Sequence, residues 1–241
     1  MSSWFTIARL LPQTLGINGS SQNALILEKT LSQMGHQVSV VDINDPADLV
    51  STVDIVCVGS GSGSSVKPAA TQLIGLVRAL TEWRRAGAYF FAVGVGWDLL
   101  GSHLVLSEGE TLPGVGVFPS HATHETSRFA GEVSGVDYQG RPSAGYVNQV
   151  GHSTLDSGVS PLVTISHSSK PWETQDGLIA NGLMATRLGG PALSLNPHWA
   201  LDIAEAVVAS RGLTAQPTAF HDRVESLAVS ARALIDQRLG A

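Results

Sequence analysis

The stretch Ala88-Tyr-Phe-Phe-Ala-Val-Gly-Val-Gly-Trp-Asp-Leu-Leu-Gly101 decides the fold. Its apolar first half predicts a buried β-strand, and its glycine-punctuated second half predicts a tight turn into a short helix. In many hydrolytic folds such a turn carries the nucleophile at its tip, on a strained backbone. Here the tip is Gly94, Val95 and Gly96, without serine, cysteine or threonine between residues 88 and 101. The stretch therefore predicts the scaffold of a reactive site without its reactive atom.

The composition predicts a globular protein. The chain has 241 residues, of which 43% are hydrophobic and 14% are charged, and this is enough to bury a sizeable core. We expect a main domain over residues 1–212 and a C-terminal helical extension over residues 213–241. The net charge of −6 and the lack of a basic cluster argue against a nucleic-acid partner or an anionic membrane. Because the first residues lack a leader pattern and no apolar run approaches a membrane span, we expect a cytoplasmic protein without membrane insertion.

Outward from the stretch Ala88–Gly101, which we call the elbow, strand and helix patterns alternate. Strands are predicted over residues 4–11, 36–43 and 53–58, with a helix between the first two and a further helix that starts at Pro68. This alternation predicts an α/β fold with a doubly wound, mostly parallel sheet. Ligands bind such sheets beyond the carboxyl ends of the strands. The loop Gly59–Ser65 and the turn at Gly94 both lie there, so they should face one crevice.

The second half of the chain predicts a β-rich segment followed by helices. Short strands, antiparallel in part, are expected within residues 108–188. Asn196 and Pro197 are typical of a helix start, and that helix should end near Gly212. A final helix is predicted over residues 221–239. The apolar stripe that we expect to dock on the core consists of Val224, Leu227, Ala231, Leu234 and Ile235.

Three local features invite a chemical interpretation. The Gly59–Ser65 loop lacks the Gly-Lys-Ser/Thr ending of a phosphate loop, so it is either a plain loop or one whose backbone N–H groups face an oxyanion. Cys57 lies in an apolar run, where a free cysteine behaves as a small hydrophobe. The segment His121-Ala-Thr-His-Glu125 is either a solvated polar loop or a metal site.

Several motifs occur in one order along the chain. They are Leu10-Leu-Pro-Gln-Thr-Leu-Gly-Ile-Asn-Gly19 with Asn23, Asp54-Ile-Val-Cys-Val-Gly-Ser-Gly61, the elbow, Gly109-Glu-Thr-Leu-Pro-Gly-Val-Gly116, Arg128-Phe-Ala-Gly-Glu132, Gly145-Tyr-Val-Asn148 and Gly189-Gly-Pro191. This order resembles the GatD-type glutamine amidotransferases, a class I group related to the cobyric acid synthase amidotransferase domain. The resemblance runs from Phe5 to about Arg211 and implies a flavodoxin-like three-layer fold.

The resemblance also implies a chemistry. In that family the elbow cysteine attacks the side-chain amide of glutamine, assisted by a histidine before a Gly-Pro pair. The released ammonia passes to a Mur-ligase-like partner, MurT, which amidates the glutamate of the lipid II stem peptide in peptidoglycan synthesis. No cofactor is implied. The cysteine position of the family is Gly94 in this chain, the following glutamine position is Asp98 and the histidine position is Gly189.

Part of the substrate pocket persists by the same resemblance. Arg128 matches the glutamine-binding arginine, and the amides of Ser60 or Gly61 with Val95 match the oxyanion-stabilising pair. The family's Glu-Asn-His reads Val147-Asn148-Gln149 here. The vestigial pocket is therefore predicted to consist of Gly59, Ser60, Gly61, Val95, Arg128, Asn148 and Gln149.

These matches and departures predict a pseudoenzyme. A protein without the cysteine and the histidine should not hydrolyse glutamine, because the two act as a unit. We expect a non-catalytic subunit that pairs with a MurT-like Mur ligase. One alternative is a sensor that binds glutamine or another amino acid through Arg128. The other is a metal-dependent enzyme with a relocated site at His121, His124 and Glu125.

Overall fold

The computed structural model describes residues 3–241, and its first half alternates strands with helices. Two short 3-10 segments, Ile17–Gln22 and Pro46–Asp48, interrupt the connections. The regular elements are β1 (Trp4–Leu10), α1 (Asn23–Gln33), β2 (Gln37–Ile43), β3 (Ile55–Val58), α2 (Gly63–Arg85), β4 (Tyr89–Val93) and α3 (Val95–Leu100).

The second half is richer in strands and ends in helices. Its strands are β5 (His103–Val105), β6 (Thr111–Pro113), β7 (Ser120–Asp137), β8 (Pro142–Leu155), β9 (Val163–Ser168), β10 (Gln175–Asp176), β11 (Leu178–Ala180) and β12 (Leu183–Thr186). Its helices are α4 (Ala192–Leu195), α5 (Pro197–Ser210) and α6 (Ala219–Leu239). None of the helices within residues 3–241 is both long enough and apolar enough to cross a bilayer.

The central sheet confirms the predicted fold class. Its strand order is β11-β12-β4-β3-β1-β2, and every neighbouring pair is parallel except β11 with β12. Every residue of β3 and β4 is buried, as expected for parallel strands that are covered on both faces. Apolar side chains of α2 belong to the core on one face, and those of α1 and α5 belong to the core on the other. The result is a doubly wound, three-layer α/β structure.

A second sheet packs against the part of the chain that follows the elbow turn. Its order is β10-β9-β7-β5-β6, and β8 pairs antiparallel with β7. The expected β-rich, partly antiparallel segment is therefore present, but β7 alone has 18 residues where a shorter strand and a polar loop were predicted. A register shift between Thr123 and Arg128 interrupts the two-residue alternation, and this hides the continuity of the strand.

The start of α2 differs from the prediction. The helix begins at Gly63, so Pro68 lies inside it and the segment Gly63–Ser65 forms its first turn. Only Gly59–Ser62 remains as a loop. The earlier start was missed because residues 63–65 are glycine and serine, which carry no apolar period.

The docked face of α6 also differs from the predicted stripe. Leu227 and Leu234 are 63% and 56% exposed, whereas Ala228, Arg232 and Ile235 are buried. The buried face is rotated relative to the predicted stripe because it includes Arg232. The guanidinium of Arg232 donates to the backbone oxygen of Leu195 in the interior. The stripe was read from hydrophobicity alone, which gives no weight to an arginine that finds acceptors in the interior.

Candidate active site

The elbow keeps its special backbone conformation without a reactive side chain. Gly94 has φ 51° and ψ −121°, between the last residue of β4 and the first residue of α3. Residues with a side chain rarely adopt this combination of φ and ψ, whereas glycine adopts it at little cost in free energy. The N–H of Gly94 donates to the oxygen of Thr186 at 3.0 Å, and the N–H of Asp98 donates to the oxygen of Gly94 at 3.0 Å. Backbone hydrogen bonds therefore hold the turn.

The loop after β3 packs directly against the elbow. A Cβ on Gly96 would lie 2.3 Å from the backbone oxygen of Gly59, so this close approach requires glycine. Gly61 is equally confined, because a Cβ there would lie 2.3 Å from Oγ of Ser65. The N–H of Val95 donates to Oγ of Ser60 across the gap at 3.3 Å. The two loops therefore lie side by side, and the first contributes Ser60 to the wall of a cavity; that both loops face one crevice stays a prediction.

Two side chains occupy the space that a side chain at position 94 would need. A Cβ on Gly94 would lie 2.5 Å from Nε2 of Gln149 and 2.6 Å from Oγ of Ser60, which is closer than real Cβ contacts come. Gln149 and Ser60 are each 6% exposed, so both are held in the interior. A larger residue at position 94 would have to displace at least one of them.

Of the backbone amides that match the oxyanion pair, which is Ser60 or Gly61 with Val95, those of Ser60 and Val95 are already satisfied inside the protein. The N–H of Ser60 donates to Oγ of Ser20 at 2.8 Å, and the N–H of Val95 is bonded to Oγ of Ser60. The Ser20 hydroxyl in turn donates to the oxygen of Ile17 at 2.8 Å. Oxyanion stabilisation needs donors that point at the reacting oxygen. In this structure these donors point at serine hydroxyls.

Gly189 lies on a cavity whose wall also includes Ser60 and Gln149, the two side chains beside Gly94. It follows β12, and its N–H donates to the backbone oxygen of Tyr146 at 2.7 Å. The cavity has a volume of about 300 Å³. The structure thus brings several predicted site residues together, but it offers no imidazole at the histidine position. The lining residues are Ile17, Asn18, Ser20, Ser60, Tyr146, Asn148, Gln149, Gly189 and Gly190.

Arg128 stands outside this cavity and reaches it through Asn148. Its Nη1 donates to Oδ1 of Asn148 at 2.8 Å. The arginine itself is exposed and lines a separate cleft of about 710 Å³ together with Lys170 and Trp172. The Trp172 ring packs on Phe129, with 4.3 Å between the ring centroids. The cleft therefore combines cationic side chains with an aromatic wall.

The segment from His121 to Glu125 is part of β7, so its interpretation as a polar loop was wrong. The His121 ring stacks on His103 at 4.8 Å, whereas Nε2 of His124 lies in the interior, 2.9 Å from Oδ2 of Asp98. Glu125 lies at the surface near His152. Residues 3–241 contain no group of three or more histidine, cysteine, aspartate or glutamate side chains suited to hold a metal. The three side chains do not converge, because a strand points its residues to different faces.

A buried ionic cluster behind the elbow was missed from the sequence. Nη2 of Arg187 donates to Oδ1 of Asp98 at 2.7 Å, and its guanidinium lies over the Trp97 ring at 5.5 Å from the centroid. Arg187 is only 3% exposed. Its signal was a charged residue directly after the buried strand Leu183–Thr186. Such a residue needs a partner in the interior.

Cys57, the single cysteine of the chain, takes no part in the site. It lies in β3 and is 3% exposed, as its apolar neighbours predicted. Burial raises the pKa of its thiol far above the usual value, with only partial opposition from Arg9. The protein thus holds no thiolate at the elbow and a protonated thiol in the core.

Comparison with known proteins points to one family. The family profile of the CobB/CobQ-like glutamine amidotransferase domain matches residues 14–197. The GatD subunit of lipid II isoglutaminyl synthase (glutamine-hydrolyzing) from Staphylococcus aureus (strain N315) is 23% identical over 221 residues, 91% of either chain. The same subunit from Streptococcus pneumoniae (strain ATCC BAA-255 / R6) is 23% identical over 224 residues, 90% of this chain and 85% of the relative. A glutamine amidotransferase crystal structure superposes with a TM-score of 0.52 at 14% identity, covering 82% of this chain and 98% of the other.

Proposed function

The chain belongs to the family of CobB/CobQ-like glutamine amidotransferase domains, and from this premise we propose that it is a member that does not hydrolyse glutamine. Its role in this proposal is that of a non-catalytic subunit, a scaffold or regulator of a MurT-like Mur ligase that amidates lipid II in the cytoplasm. The observation that carries the proposal is the filled elbow, where Gln149 and Ser60 occupy the space of a side chain at Gly94.

Hydrolysis by this fold needs a nucleophile and a proton acceptor beside it. Glycine at positions 94 and 189 supplies neither. Ser60 is the hydroxyl nearest the elbow, but its oxygen accepts the Val95 N–H. Within residues 3–241, Ser60 Oγ has no histidine or carboxylate partner that could serve as its base. The loss therefore affects the whole catalytic unit.

The assembly part of the proposal rests on the relatives. Both are named as subunits of a lipid II isoglutaminyl synthase, and the similarity extends over nine-tenths of this chain. Because the similarity spans 91% and 85% of the two relatives, the pairing surface of such a subunit would lie within the matched length. We therefore expect pairing with a MurT-like ligase.

The hydrolysis test measures glutamate release from glutamine by the purified protein, alone and in complex with the ligase. The expected rate equals the background of a matched Ser60→Ala preparation. Comparing the two preparations removes the contribution of contaminating glutaminases. A rate that is above background in the natural protein and falls in the Ser60→Ala protein would show that this chain hydrolyses glutamine.

The assembly test supplies the nitrogen in two forms. A complex of this protein with the Mur-ligase-like subunit should amidate lipid II with ammonium chloride and should fail with glutamine. Equal amidation with both nitrogen sources contradicts the loss of hydrolysis. Failure of the two chains to co-purify contradicts the pairing and leaves the hydrolysis result unaffected.

A second candidate function is amino-acid sensing. The observation that favours it is Arg128, which is exposed on the 710 Å³ cleft and stabilised by Asn148. A guanidinium in this position is suited to a ligand carboxylate. Calorimetric titration with glutamine should give saturable heat that is absent in Arg128→Ala. A pure scaffold should give no heat in either protein.

A further inference from the structure

A small chamber lies behind the elbow, on the far side from the filled site. It has a volume of about 100 Å³ and shares no lining residue with the 300 Å³ cavity. Trp97 of α3, Ser153 of β8 and Arg187 contribute to its wall. The loop before β10 closes it with Trp172. The chamber is therefore built by both sheets.

Arg187 brings donors to this chamber that the protein does not use. Its Nη2 donates to Oδ1 of Asp98 and to Oγ of Ser153, both at 2.7 Å. Its Nε and Nη1 are buried and have no acceptor within the part of the chain that the structure describes. A buried donor left without an acceptor destabilises the folded protein, and more so when the group is charged. A ligand that brings a hydrogen-bond acceptor would satisfy these donors.

Trp172 adds a further unmet donor. Its indole Nε1 is buried and finds no acceptor among residues 3–241, while its ring packs on Phe129. Tryptophan has only this one polar atom, and buried indole N–H groups are usually bonded. Arg187 and Trp172 come from different parts of the chain and line the same small volume. Their unmet donors are thus concentrated in one place.

The acidic side chains nearby are already engaged. Asp98 accepts from Arg187 at one oxygen and contacts His124 with the other. Asp176 accepts from the Thr186 hydroxyl and from the N–H of Arg187. Glu173, the other carboxylate on the chamber wall, is exposed at its mouth. The interior of the chamber therefore has an excess of donors.

We propose that the chamber binds the carboxylate group of a small organic acid, with Arg187 and Trp172 as its donors. Its volume corresponds to about three water molecules at roughly 30 Å³ each, which accommodates a group the size of acetate. The rest of the acid extends into the 710 Å³ cleft, which shares His152, Trp172 and Glu173 with the chamber. This site depends neither on glutamine hydrolysis nor on the ligase.

Nuclear magnetic resonance tests the site in the intact protein. Sodium acetate is titrated at constant ionic strength while the indole N–H signals of the five tryptophans and the Nε–H signal of Arg187 are followed. The Arg187 and Trp172 signals should shift with one saturable curve. Acetamide, the neutral comparison, should shift them at least tenfold more weakly. The signals expected to remain in place are those of Trp4, Trp83 and Trp199.

A conservative variant separates binding from folding. Trp172→Phe keeps an aromatic ring against Phe129 and removes only the donor, so affinity for acetate should fall about tenfold, as expected for a bond to a charged acceptor. Trp4→Phe is the matched control, because Trp4 is 62% exposed, and it should leave the affinity unchanged. Arg187 is left intact in this test, since its removal would bury Asp98 without a cation.

A crystal structure with bromoacetate locates the ligand by its bromine signal. Bromine at the mouth of the chamber, with the carboxylate on Arg187, is the expected result. The proposal is overturned if the chamber contains only ordered water, if the acetate shifts do not saturate, or if Trp172→Phe binds acetate as tightly as the natural protein.

Discussion

Gly94 has the backbone conformation of an elbow residue and carries no side chain. Its positive φ and its hydrogen bonds to Thr186 and Asp98 reproduce a nucleophile elbow, while Gln149 and Ser60 occupy the adjoining space. Glycine relieves the strain of this conformation, and the neighbouring side chains gain room. A single residue thus accounts for both the retained turn and the closed pocket.

The substitution Gly94→Cys should destabilise the protein and should not create a glutaminase. We expect the free energy of unfolding to fall by about 1–3 kcal/mol from backbone strain at the positive φ of Gly94, while the tips of Gln149 and Ser60 shift to make room. Urea unfolding measures the change. Gly63→Cys is the control, because a Cβ there meets nothing within 4 Å. An unchanged stability of Gly94→Cys would contradict the strain at this site.

Helix α6 packs against the rest of the protein through a row of residues that the hydrophobic pattern alone does not predict. Ala228, Arg232 and Ile235 face inward, and Arg232 bonds to Glu225 and to the backbone of Leu195. The helix also reaches the second sheet, where the guanidinium of Arg238 pairs with Glu132 of β7. Helix α6 thus contacts elements of both halves of the protein.

The orientation of α6 is tested by replacing two adjacent residues with alanine. The two substitutions remove the same number of carbon atoms. Ile235→Ala should lower the free energy of unfolding by about 2–5 kcal/mol, because Ile235 is buried and its removal leaves a cavity. Leu234→Ala should change it by no more than about 0.5 kcal/mol, because Leu234 is 56% exposed. Chemical denaturation compares the two. Equal losses, or a larger loss for Leu234→Ala, would place the other face of the helix against the core.

At the scale of the whole molecule, a cluster of polar contacts connects the second sheet to helix α5. Asp137 at the end of β7 accepts from Arg141 at 2.8 Å and from Nε1 of Trp199 in α5 at 3.1 Å. Arg141 also pairs with Asp202. Burial opposes ionisation of Asp137, but the bonds from Arg141 outweigh it and lower the pKa of the carboxyl. His198 lies beside the same carboxylate, 3.5 Å away.

The stability of this cluster should depend on pH. Burial, with Arg141 and Arg232 nearby, lowers the pKa of His198 below 6.5 despite the opposing charges of Glu225 and Asp137. The unfolded chain therefore binds this proton more readily, so the His198 contribution is full above about pH 6.5 and declines as the pH falls toward the lowered pKa. Urea unfolding between pH 7.5 and 5 should show a decline that is shallower in His198→Gln. If the free energy of unfolding changes with pH by the same slope in both proteins, His198 is not the source of the pH dependence.

The sequence predicts the central sheet well and the filled site poorly. Continuous apolar runs in β3 and β4, each followed by glycine, are sufficient to place the strands and the loops of the crevice. Polar residues in β7 and its register shift conceal a long strand. The role of Gln149 is invisible in sequence, because its approach to Gly94 arises only when two sheets meet. Arg187 is likewise understood only once Asp98 lies beside it.

If Gly94 occupies the nucleophile position, as proposed, the elbow also predicts how this protein responds to a class of covalent reagents. A glutamine mimic with an electrophilic carbon alkylates the thiolate at the elbow of an amidotransferase. Gly94 offers no sulfur to alkylate, and the sulfur of Cys57 is buried and protonated. In a mixture of homologous proteins, we expect such a reagent to label the chains with an elbow thiolate and to leave this one unmarked.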